Sequence, residues 1–289
     1  MKMRALNSVV ISVVGVLQGV AIVKSSPQHT DQSMPTVTRM ALPAGATAPG
    51  IDWIRVAAPD GGVMLAAITH PTGSGRFPAM LILHGTHGFG QQYVDLAQEF
   101  ARQGVVGVAA CWFAGSRGEG TRFVTPIDCP GGPPLVEASS DAAQERIGAL
   151  VVAIRKLSFV DPNRIGIFGH SRGGGAALNR ILKVSDVAAV VLDSAGYPDA
   201  AVAQASRITV PILILHGTKE CSHDGGTEMT TVQRARAFEN AVRRERHTVE
   251  AKYYDACHNG IFESHSQFID SVQRAAEFLR RGLCSRLSQ

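Results

Sequence analysis

A serine stands between glycines in the pentapeptide Gly169-His170-Ser171-Arg172-Gly173. The pentapeptide follows an apolar, β-rich run at 163–168 and precedes a run with helical spacing at 172–183. A G-x-S-x-G sequence between a strand and a helix is typical of a sharp turn that exposes the serine hydroxyl at the edge of a sheet. Glycines on both sides of the serine allow the strained backbone of that turn. We predict Ser171 as a nucleophile, the alternative being a glycine-rich helix start without chemistry.

A serine hydroxyl attacks a carbonyl only when a base removes its proton, and the base is oriented by a carboxylate. In chains with a turn of this kind, the acid comes after the serine in the sequence and the histidine comes after the acid. His258 lies on a predicted loop between the last strand and the last helix, whereas His265 lies nearer that helix. We therefore predict His258 as the general base.

Three carboxylates are candidates for the acid. Glu220 stands at the usual distance after the strand predicted at 210–215, Asp224 follows a few residues later, and Asp193 follows the preceding strand. Triad geometry is not fixed by sequence. We choose Glu220, with Asp224 and Asp193 as alternatives.

A tetrahedral intermediate carries a negative oxygen that backbone N–H groups can stabilise. We predict the N–H of Arg172, directly after the nucleophile, and the N–H of Thr86 in the turn His84-Gly85-Thr86-His87-Gly88 as donors. The two histidines of this turn are not predicted to bind zinc, because no H-E-x-x-H motif or Cys/His cluster accompanies them. We expect no metal and no other cofactor.

The sequence contains five cysteines. Cys221 directly follows Glu220 and Cys257 directly precedes His258, so these sulfurs come close if the acid and base loops meet. We predict a disulfide between them, the alternative being two buried thiols. Cys111 and Cys129 would close the long predicted loop at 111–137 in the same way, leaving Cys284 free.

Short apolar runs alternate with amphipathic ones from about residue 52, which predicts a mostly parallel sheet covered by helices on both faces. The predicted strands are 52–58, 63–69, 78–83, 105–110, 163–168, 187–192, 210–215 and 249–254, the first two joined by a hairpin at Asp60-Gly61-Gly62. The predicted helices are 91–103, 138–157, 172–183, 229–244 and 266–281. Leu-Ile-Leu-His-Gly-Thr occurs at 81–86 and at 213–218, which we interpret as two buried strands ending at one sheet edge. The long loop at 111–137 is expected to form a wall of the binding pocket.

The chain has 289 residues, 45% of them hydrophobic, which is enough for one large catalytic domain at 51–289. Its net charge of +4 comes from basic residues mixed with acidic ones, so no nucleic-acid partner is expected. Residues 1–24 have the basic start and apolar stretch of a signal peptide, with an uncleaved membrane anchor as the alternative. Residues 25–50 are interpreted as a linker or an N-terminal arm. The mature chain is expected to be secreted or periplasmic, without a stable membrane span.

Four motifs resemble the dienelactone hydrolase family of the α/β-hydrolase superfamily over roughly residues 52–282. They are Leu83-His84-Gly85-Thr86, Gly169-His170-Ser171-Arg172-Gly173-Gly174, Leu215-His216-Gly217-Thr218 with Glu220, and His258-Asn259-Gly260. The resemblance implies an α/β-hydrolase fold, here with an eight-stranded, mostly parallel sheet and little or no cap domain. The Ser171 motif is also similar to that of chlorophyllases and polyester-cleaving hydrolases, and the paired Cys221 and Cys257 resemble the latter.

The sequence departs from the family at two positions. Ser171 stands where dienelactone hydrolases carry cysteine, and Glu220 where the family usually has aspartate, so the lactone substrate is not carried over. We expect hydrolysis of a small-molecule carboxylic ester through an acyl-enzyme on Ser171. A peptidase or amidase with the same triad is one alternative, and a non-catalytic binding protein on a hydrolase scaffold is the other. The sequence predicts neither the ester nor the oligomeric state.

Overall fold

The computed structural model of the chain describes residues 37–40, 50–115, 123–219, 221 and 225–281. These residues form one nine-stranded sheet in the order β1-β2-β3-β5-β4-β6-β7-β8-β9. The strands are β1 (Val37–Met40), β2 (Asp52–Ala57), β3 (Val63–Thr69), β4 (Phe77–Leu83), β5 (Val106–Cys111), β6 (Val160–His170), β7 (Ala189–Asp193), β8 (Ile212–Gly217) and β9 (Val249–Tyr254). The helices are α1 (Gln91–Arg102), α2 (Asp141–Arg155), α3 (Arg172–Lys183), α4 (Asp199–Ala203), α5 (Val232–Arg244), α6 (Gly260–Glu263) and α7 (His265–Arg281).

The strands from β4 onward pair in parallel, whereas β1, β2 and β3 are antiparallel to their neighbours. β5 and β8 are buried at every position and β4 at every position after its first, because helices cover both faces of the sheet. β9 lies at the sheet edge and is only half-buried along its length. The apolar runs in the sequence therefore correspond to the central strands.

Two hydrophobic cores lie on opposite faces of the sheet. α2, α3 and α5 contribute Ile147, Leu178 and Phe238 to one core. α1 and α7 contribute Phe100 and Leu279 to the other. Each helix is thus held by an apolar stripe that faces the sheet. The parallel strands consequently end at one common edge, where loops can bring side chains together.

The predicted mostly parallel α/β fold is confirmed, and the eight predicted strands and five predicted helices are present. The predicted strand number is one too low, because β1 pairs with β2 within the range interpreted as an arm. The short α4 and α6 are additional. Elements of four or five residues are too short to show periodicity, which is why the sequence did not indicate them. The predicted hairpin closes through hydrogen bonds between Ala58 and Gly62 and between Gly61 and Ala58.

The predicted signal peptide at 1–24 and most of the arm at 25–50 lie outside the described residues, so these boundaries stay predictions. No helix in the described part of the chain combines the length and the hydropathy needed to cross a membrane.

A buried arginine joins the hairpin to the helix layer and to the long loop after β5. Arg146 on α2 is fully buried, and its guanidinium donates to both carboxylate oxygens of Asp60 in the hairpin turn. Its Nη1 also donates to the carbonyl oxygens of Trp112, at 3.3 Å, and Pro134, at 2.7 Å. The hydrogen bond from Arg146 lowers the pKa of Asp60. This pair therefore stabilises the fold while Asp60 is ionised.

We predict that Asp60→Asn lowers the free energy of unfolding by about 3 kcal/mol at pH 7, because a buried guanidinium loses its counter-ion. Since the pKa of Asp60 is lower in the folded chain, this contribution is present above the unfolded pKa near 4 and is lost as the pH falls through the folded pKa. Urea unfolding of both proteins at pH 7 and at pH 3 measures the difference.

The matched control is Asp141→Asn, because Asp141 forms a 2.8 Å ion pair with Lys183 in which both side chains are exposed. Exposed pairs contribute little to stability, so this variant is expected to unfold close to the wild type. Equal destabilisation by both substitutions would contradict the role given to the ion pair of Asp60 with the buried Arg146.

Candidate active site

Ser171 lies at the junction of β6 and α3 in a backbone conformation that is rare for residues with a side chain. Its φ is 52° and its ψ is −114°. A Cβ on Gly169 would lie 2.3 Å from the carbonyl oxygen of Gly173, and a Cβ on Gly173 would lie 2.2 Å from that of Leu83. Both glycines are therefore required by close backbone contacts. The sharp turn predicted from the pentapeptide is present.

The base candidate is in contact with this serine. His258 lies in the loop between β9 and α6, and its Nε2 is 2.9 Å from Oγ of Ser171. Burial lowers the pKa of His258 to about 3, with smaller contributions from the charges of His170 and His216. A histidine with a lowered pKa is neutral at pH 7, so its Nε2 can accept the hydroxyl proton. Nδ1 of His258 has no hydrogen-bond partner among the described residues.

Of the three candidates for the acid, Asp193 alone lies within the described residues. Asp193, at the end of β7, is almost fully buried, and its Oδ2 is 2.5 Å from Nδ1 of His170. It thus contacts the residue before the nucleophile, and no hydrogen bond joins it to His258. Glu220 and Asp224 lie outside the described residues.

Both predicted disulfides are present. Cys221 is bonded to Cys257 with their Cα atoms 5.7 Å apart, and Cys111 to Cys129 with their Cα atoms 6.5 Å apart. The first bond fastens the loop after β8 directly to the residue before His258. Cys284 lies outside the described residues.

The loop after β8 contacts the loop between β9 and α6, which carries His258 and is called the base loop below, a second time near Gly226. A Cβ on Gly226 would be 3.9 Å from Cβ of His258. The loop leaves β8 at Gly217, where a Cβ would lie 2.5 Å from the carbonyl oxygens of Ala256 and Cys257. The described parts of this loop therefore contact the base loop both before and after the two acid candidates.

The turn that carries the predicted donor Thr86 lies next to the nucleophile. A Cβ on Gly85 would be 3.2 Å from Cβ of Ser171. The N–H of Gly85 itself donates to the hydroxyl oxygen of Tyr93 at 2.9 Å. The next N–H along the turn belongs to Thr86, and its role as a donor to an oxyanion stays a prediction.

The side chain of Arg172 joins this turn to the long loop after β5. Its Nε donates to Oγ1 of Thr86 at 3.1 Å, and its Nη1 donates to the carbonyl oxygen of Val136 at 3.1 Å. The residue that follows the nucleophile thus holds in place the turn that carries the second predicted donor. The partners of the guanidinium are 86 and 36 residues away in the chain, so no local sequence pattern indicates these contacts.

Aromatic side chains that the sequence did not indicate form a wall beside His170, the residue before the nucleophile. We define the aromatic wall as His87, Phe123 and Phe262, whose rings contact one another with centroids 5.1–6.3 Å apart. Burial, helped by the charges of neighbouring histidines, lowers the pKa of His87 to about 2. His87 is therefore neutral, and its Nε2 lies 2.6 Å from the hydroxyl oxygen of Tyr93, within hydrogen-bond distance.

The long loop after β5 lines a cavity of about 230 Å³ together with Phe89, using residues at 114–115 and 126–130. None of the predicted catalytic or oxyanion residues lines this cavity, so the expectation that the loop forms a wall of the binding pocket stays a prediction. Within the described ranges, no group of three or more His, Cys, Asp or Glu side chains is arranged to hold a metal ion.

A mostly parallel sheet between two helix layers, with a strained serine after β6, defines the chain as an α/β-hydrolase. The family model described as the dienelactone hydrolase family matches residues 64–282, and the chain belongs to that family. It is therefore an enzyme of the hydrolase type. No curated protein matches the sequence.

The fold is similar to that of a protein assigned as a dienelactone hydrolase from Klebsiella pneumoniae, with a TM-score of 0.59, 16% identity, and coverage of 85% of this chain and 99% of that one. An esterase from Pyrococcus furiosus has a TM-score of 0.61 and 14% identity, with 80% and 92% covered. Dipeptidyl peptidase 4 from Porphyromonas gingivalis has a TM-score of 0.58 and 18% identity, with 81% of this chain but 35% of that chain covered. At these identities the similarity shows the fold.

We predict that Arg172→Ala lowers kcat for an ester by about 10-fold or more while KM changes little. The variant keeps the backbone N–H of residue 172 but releases Thr86, and a misplaced donor costs transition-state stabilisation. Steady-state kinetics with a p-nitrophenyl ester measure both constants. The matched control is Glu137→Gln, which removes only a 3.5 Å contact with Arg172 from an exposed carboxylate. An Arg172→Ala enzyme as active as this control would contradict the role of the guanidinium.

Proposed function

We propose that the chain is a serine hydrolase that cleaves carboxylic esters through an acyl-enzyme on Ser171. The observation that carries this proposal is the 2.9 Å distance between Oγ of Ser171 and Nε2 of His258, at a turn that exposes the serine at the sheet edge. Family membership supports a hydrolase, and the base is neutral at pH 7 as the reaction requires.

In the first half-reaction, Oγ of Ser171 bonds to the ester carbonyl carbon while its proton passes to Nε2 of His258. The carbonyl oxygen becomes an oxyanion, and the N–H groups of Thr86 and Arg172 stabilise it. The bond from carbon to the alcohol oxygen then breaks, and His258 returns its proton to the leaving alcohol. The product on the enzyme is an acyl ester of Ser171.

In the second half-reaction, His258 takes a proton from water as the water oxygen bonds to the acyl carbon. The new oxyanion is stabilised by the same two N–H groups. The bond to Oγ of Ser171 breaks, the serine regains a proton from His258, and the carboxylic acid leaves. No cofactor is needed for any of these steps.

We propose Glu220 as the acid that orients His258. Glu220 is the covalent neighbour of Cys221, and His258 is the covalent neighbour of Cys257. The disulfide between these cysteines supports a position of the acid next to the base, and Asp193 is already engaged with His170. Asp224, in the same loop, is the alternative.

The substrate is proposed to be a small-molecule ester, and the protein to be secreted or periplasmic. The described residues contain no inserted domain between the strands and helices of the hydrolase fold. Two disulfides are compatible with an oxidising compartment. A peptidase or amidase with the same Ser-His pair, and a binding protein without turnover, are the outcomes that the following experiment separates from the proposal.

We predict that the purified chain hydrolyses p-nitrophenyl esters and that Ser171→Ala lowers kcat by about 10⁴-fold or more, because the nucleophile is lost. The control is Ser206→Ala at an exposed serine, which is expected to keep wild-type activity. A series of acyl lengths then defines the preferred ester. Turnover of p-nitroanilides in preference to esters would indicate the amidase, and a folded chain without any turnover would indicate the binding protein.

We predict that Glu220→Gln lowers kcat by about 10²–10⁴-fold, because an uncharged amide no longer stabilises the imidazolium of His258. Asp224→Asn serves as the matched control, since it removes a carboxylate from the same loop, and is expected to stay within a few-fold of the wild type. Near-normal turnover in Glu220→Gln together with a collapse in Asp224→Asn would transfer the role of acid to Asp224.

A further inference from the structure

A buried histidine next to the nucleophile has a polar partner at each ring nitrogen. His170 is the last residue of β6 and has no exposed surface. Its Nδ1 is 2.5 Å from Oδ2 of Asp193, and its Nε2 is 3.0 Å from Oδ1 of Asn259. Asn259 is also nearly buried. The histidine thus connects the end of β7 with the loop that carries the base.

Both partners of the ring are acceptors. A carboxylate oxygen and an amide oxygen each require an N–H group, and an imidazole donates from both nitrogens only when it is protonated. An imidazolium between these two acceptors would carry a positive charge that balances a carboxylate at Asp193. A buried carboxylate without such a partner would be costly, so the two charges support each other.

The backbone around this pair is tightly fixed. His170 and Asp193 are register neighbours on adjacent parallel strands, and the N–H of Ser171 donates to the carbonyl oxygen of Asp193 at 2.9 Å. Ser194, directly after Asp193, has a φ of 46° and is buried. A strained non-glycine residue therefore follows each member of the pair, a feature that clusters at functional sites.

His170 is connected to both the proposed nucleophile, Ser171, and the proposed base, His258. His170 is bonded through the chain to Ser171, while Asn259 is bonded through the chain to His258. The ring centroids of His170 and His258 are 5.6 Å apart, and the ring of Phe262 packs edge-on against His170 at 4.9 Å. The position of the base relative to the nucleophile is consequently set on one side by the contacts of His170.

We propose that His170 is a positioning residue, a buried cation that Asp193 holds and that fixes Asn259, and with it the His258 loop, against Ser171. The positioning of the base rests on the proposed esterase function, whereas the proposed positive charge of His170 does not. His170 is not proposed to contact substrate.

The charge of His170 acts on the groups that face it. Besides Asp193, these are His87 in the turn after β4, Tyr93 on α1 and His258 in the loop between β9 and α6, with ring centroids 5.6–6.4 Å away. A cation at this position disfavours protonation of the two other histidines, and it contributes to the lowered pKa of each.

Polar and titratable groups on other elements also lie close to His258, the proposed base. His216 at the end of β8 lowers the pKa of His258 in the same direction as His170, and Ser171 contributes only its hydroxyl group. The loop that contains Glu220 and Asp224 is the proposed source of the compensating negative charge. These groups stay unchanged when His170 or Asp193 is altered.

The charge state can be read directly from ¹⁵N NMR of the chain labelled at histidine. We expect one histidine to have both ring nitrogens protonated at pH 7, and this signal to disappear in His170→Gln. In Asp193→Asn the ring loses its counter-ion, so the signal is expected to change to that of a neutral imidazole. The matched control is Asp199→Asn, at an exposed carboxylate, which is expected to leave the signal unchanged. A neutral His170 in the wild type at pH 7 would overturn the proposal.

Kinetics of the same variants test the positioning role. We expect His170→Gln and Asp193→Asn each to lower kcat for an ester by about 10²-fold, with KM nearly unchanged, because a displaced base reacts slowly. The double variant is expected to be no worse than either single one, since both residues act as a unit. Loss of the cation also favours protonated His258, so the acid limb of kcat/KM is expected to move to higher pH in both.

A normal kcat in His170→Gln beside a collapse in Asp193→Asn would overturn the proposal, because Asp193 would then act on His258 directly. A fall in kcat without movement of the acid limb would also contradict it. If either variant does not fold, the wild-type NMR signal still decides the charge of His170. If the wild type turns over no ester, the proposed function fails while the NMR result stands by itself.

Discussion

The backbone of Ser171 is held at a φ of 52° by contacts that leave no room for side chains on either side. Gly169 lies against the backbone of Gly173, and Gly173 in turn lies against the end of β4. The strain is maintained because β6 and α3 are each packed into the core, so the turn cannot relax without disturbing both. This constraint places the hydroxyl group of Ser171 at the carboxyl edge of the sheet, and the other loops of the site are arranged around that point.

Three separate connections bring those loops to the serine. The disulfide between Cys221 and Cys257 joins the loop after β8 to the base loop. The guanidinium of Arg172 joins the turn that contains Thr86 to the long loop after β5. The pair of His170 and Asp193 joins the nucleophile strand to its neighbour and reaches the base loop through a hydrogen bond. A covalent bond, a charge-assisted contact and a buried charge pair thus restrict the site from different sides, as preorganised catalysis requires.

Much of this architecture could be predicted from the sequence because its signals are local. The alternation of apolar and amphipathic runs predicted the sheet and its helices, and the glycines around Ser171 predicted the turn. The cysteines beside Glu220 and His258 predicted a disulfide from the expectation that the loops meet. β1 was missed because a four-residue edge strand has no periodic pattern of its own.

The contacts that depend on tertiary structure could not be predicted in the same way. Arg146 and Asp60 are 86 residues apart, and nothing in the sequence near either one indicates the other. Asp193 was considered only as an acid for His258, yet it ends the strand beside β6 and contacts His170. The parallel register places these two residues side by side, but which neighbour a carboxylate binds depends on side-chain geometry that a motif does not encode.

The most direct test of the account is covalent labelling of the folded chain with a fluorophosphonate, followed by mass spectrometric mapping of the adduct. The reagent reacts with a serine only when a neighbouring base activates it, so it reports the Ser171–His258 couple without assuming a substrate. We expect one adduct per chain, on Ser171, and strongly slowed labelling in His258→Ala. A folded chain that stays unlabelled, or an adduct on a different residue, would contradict it.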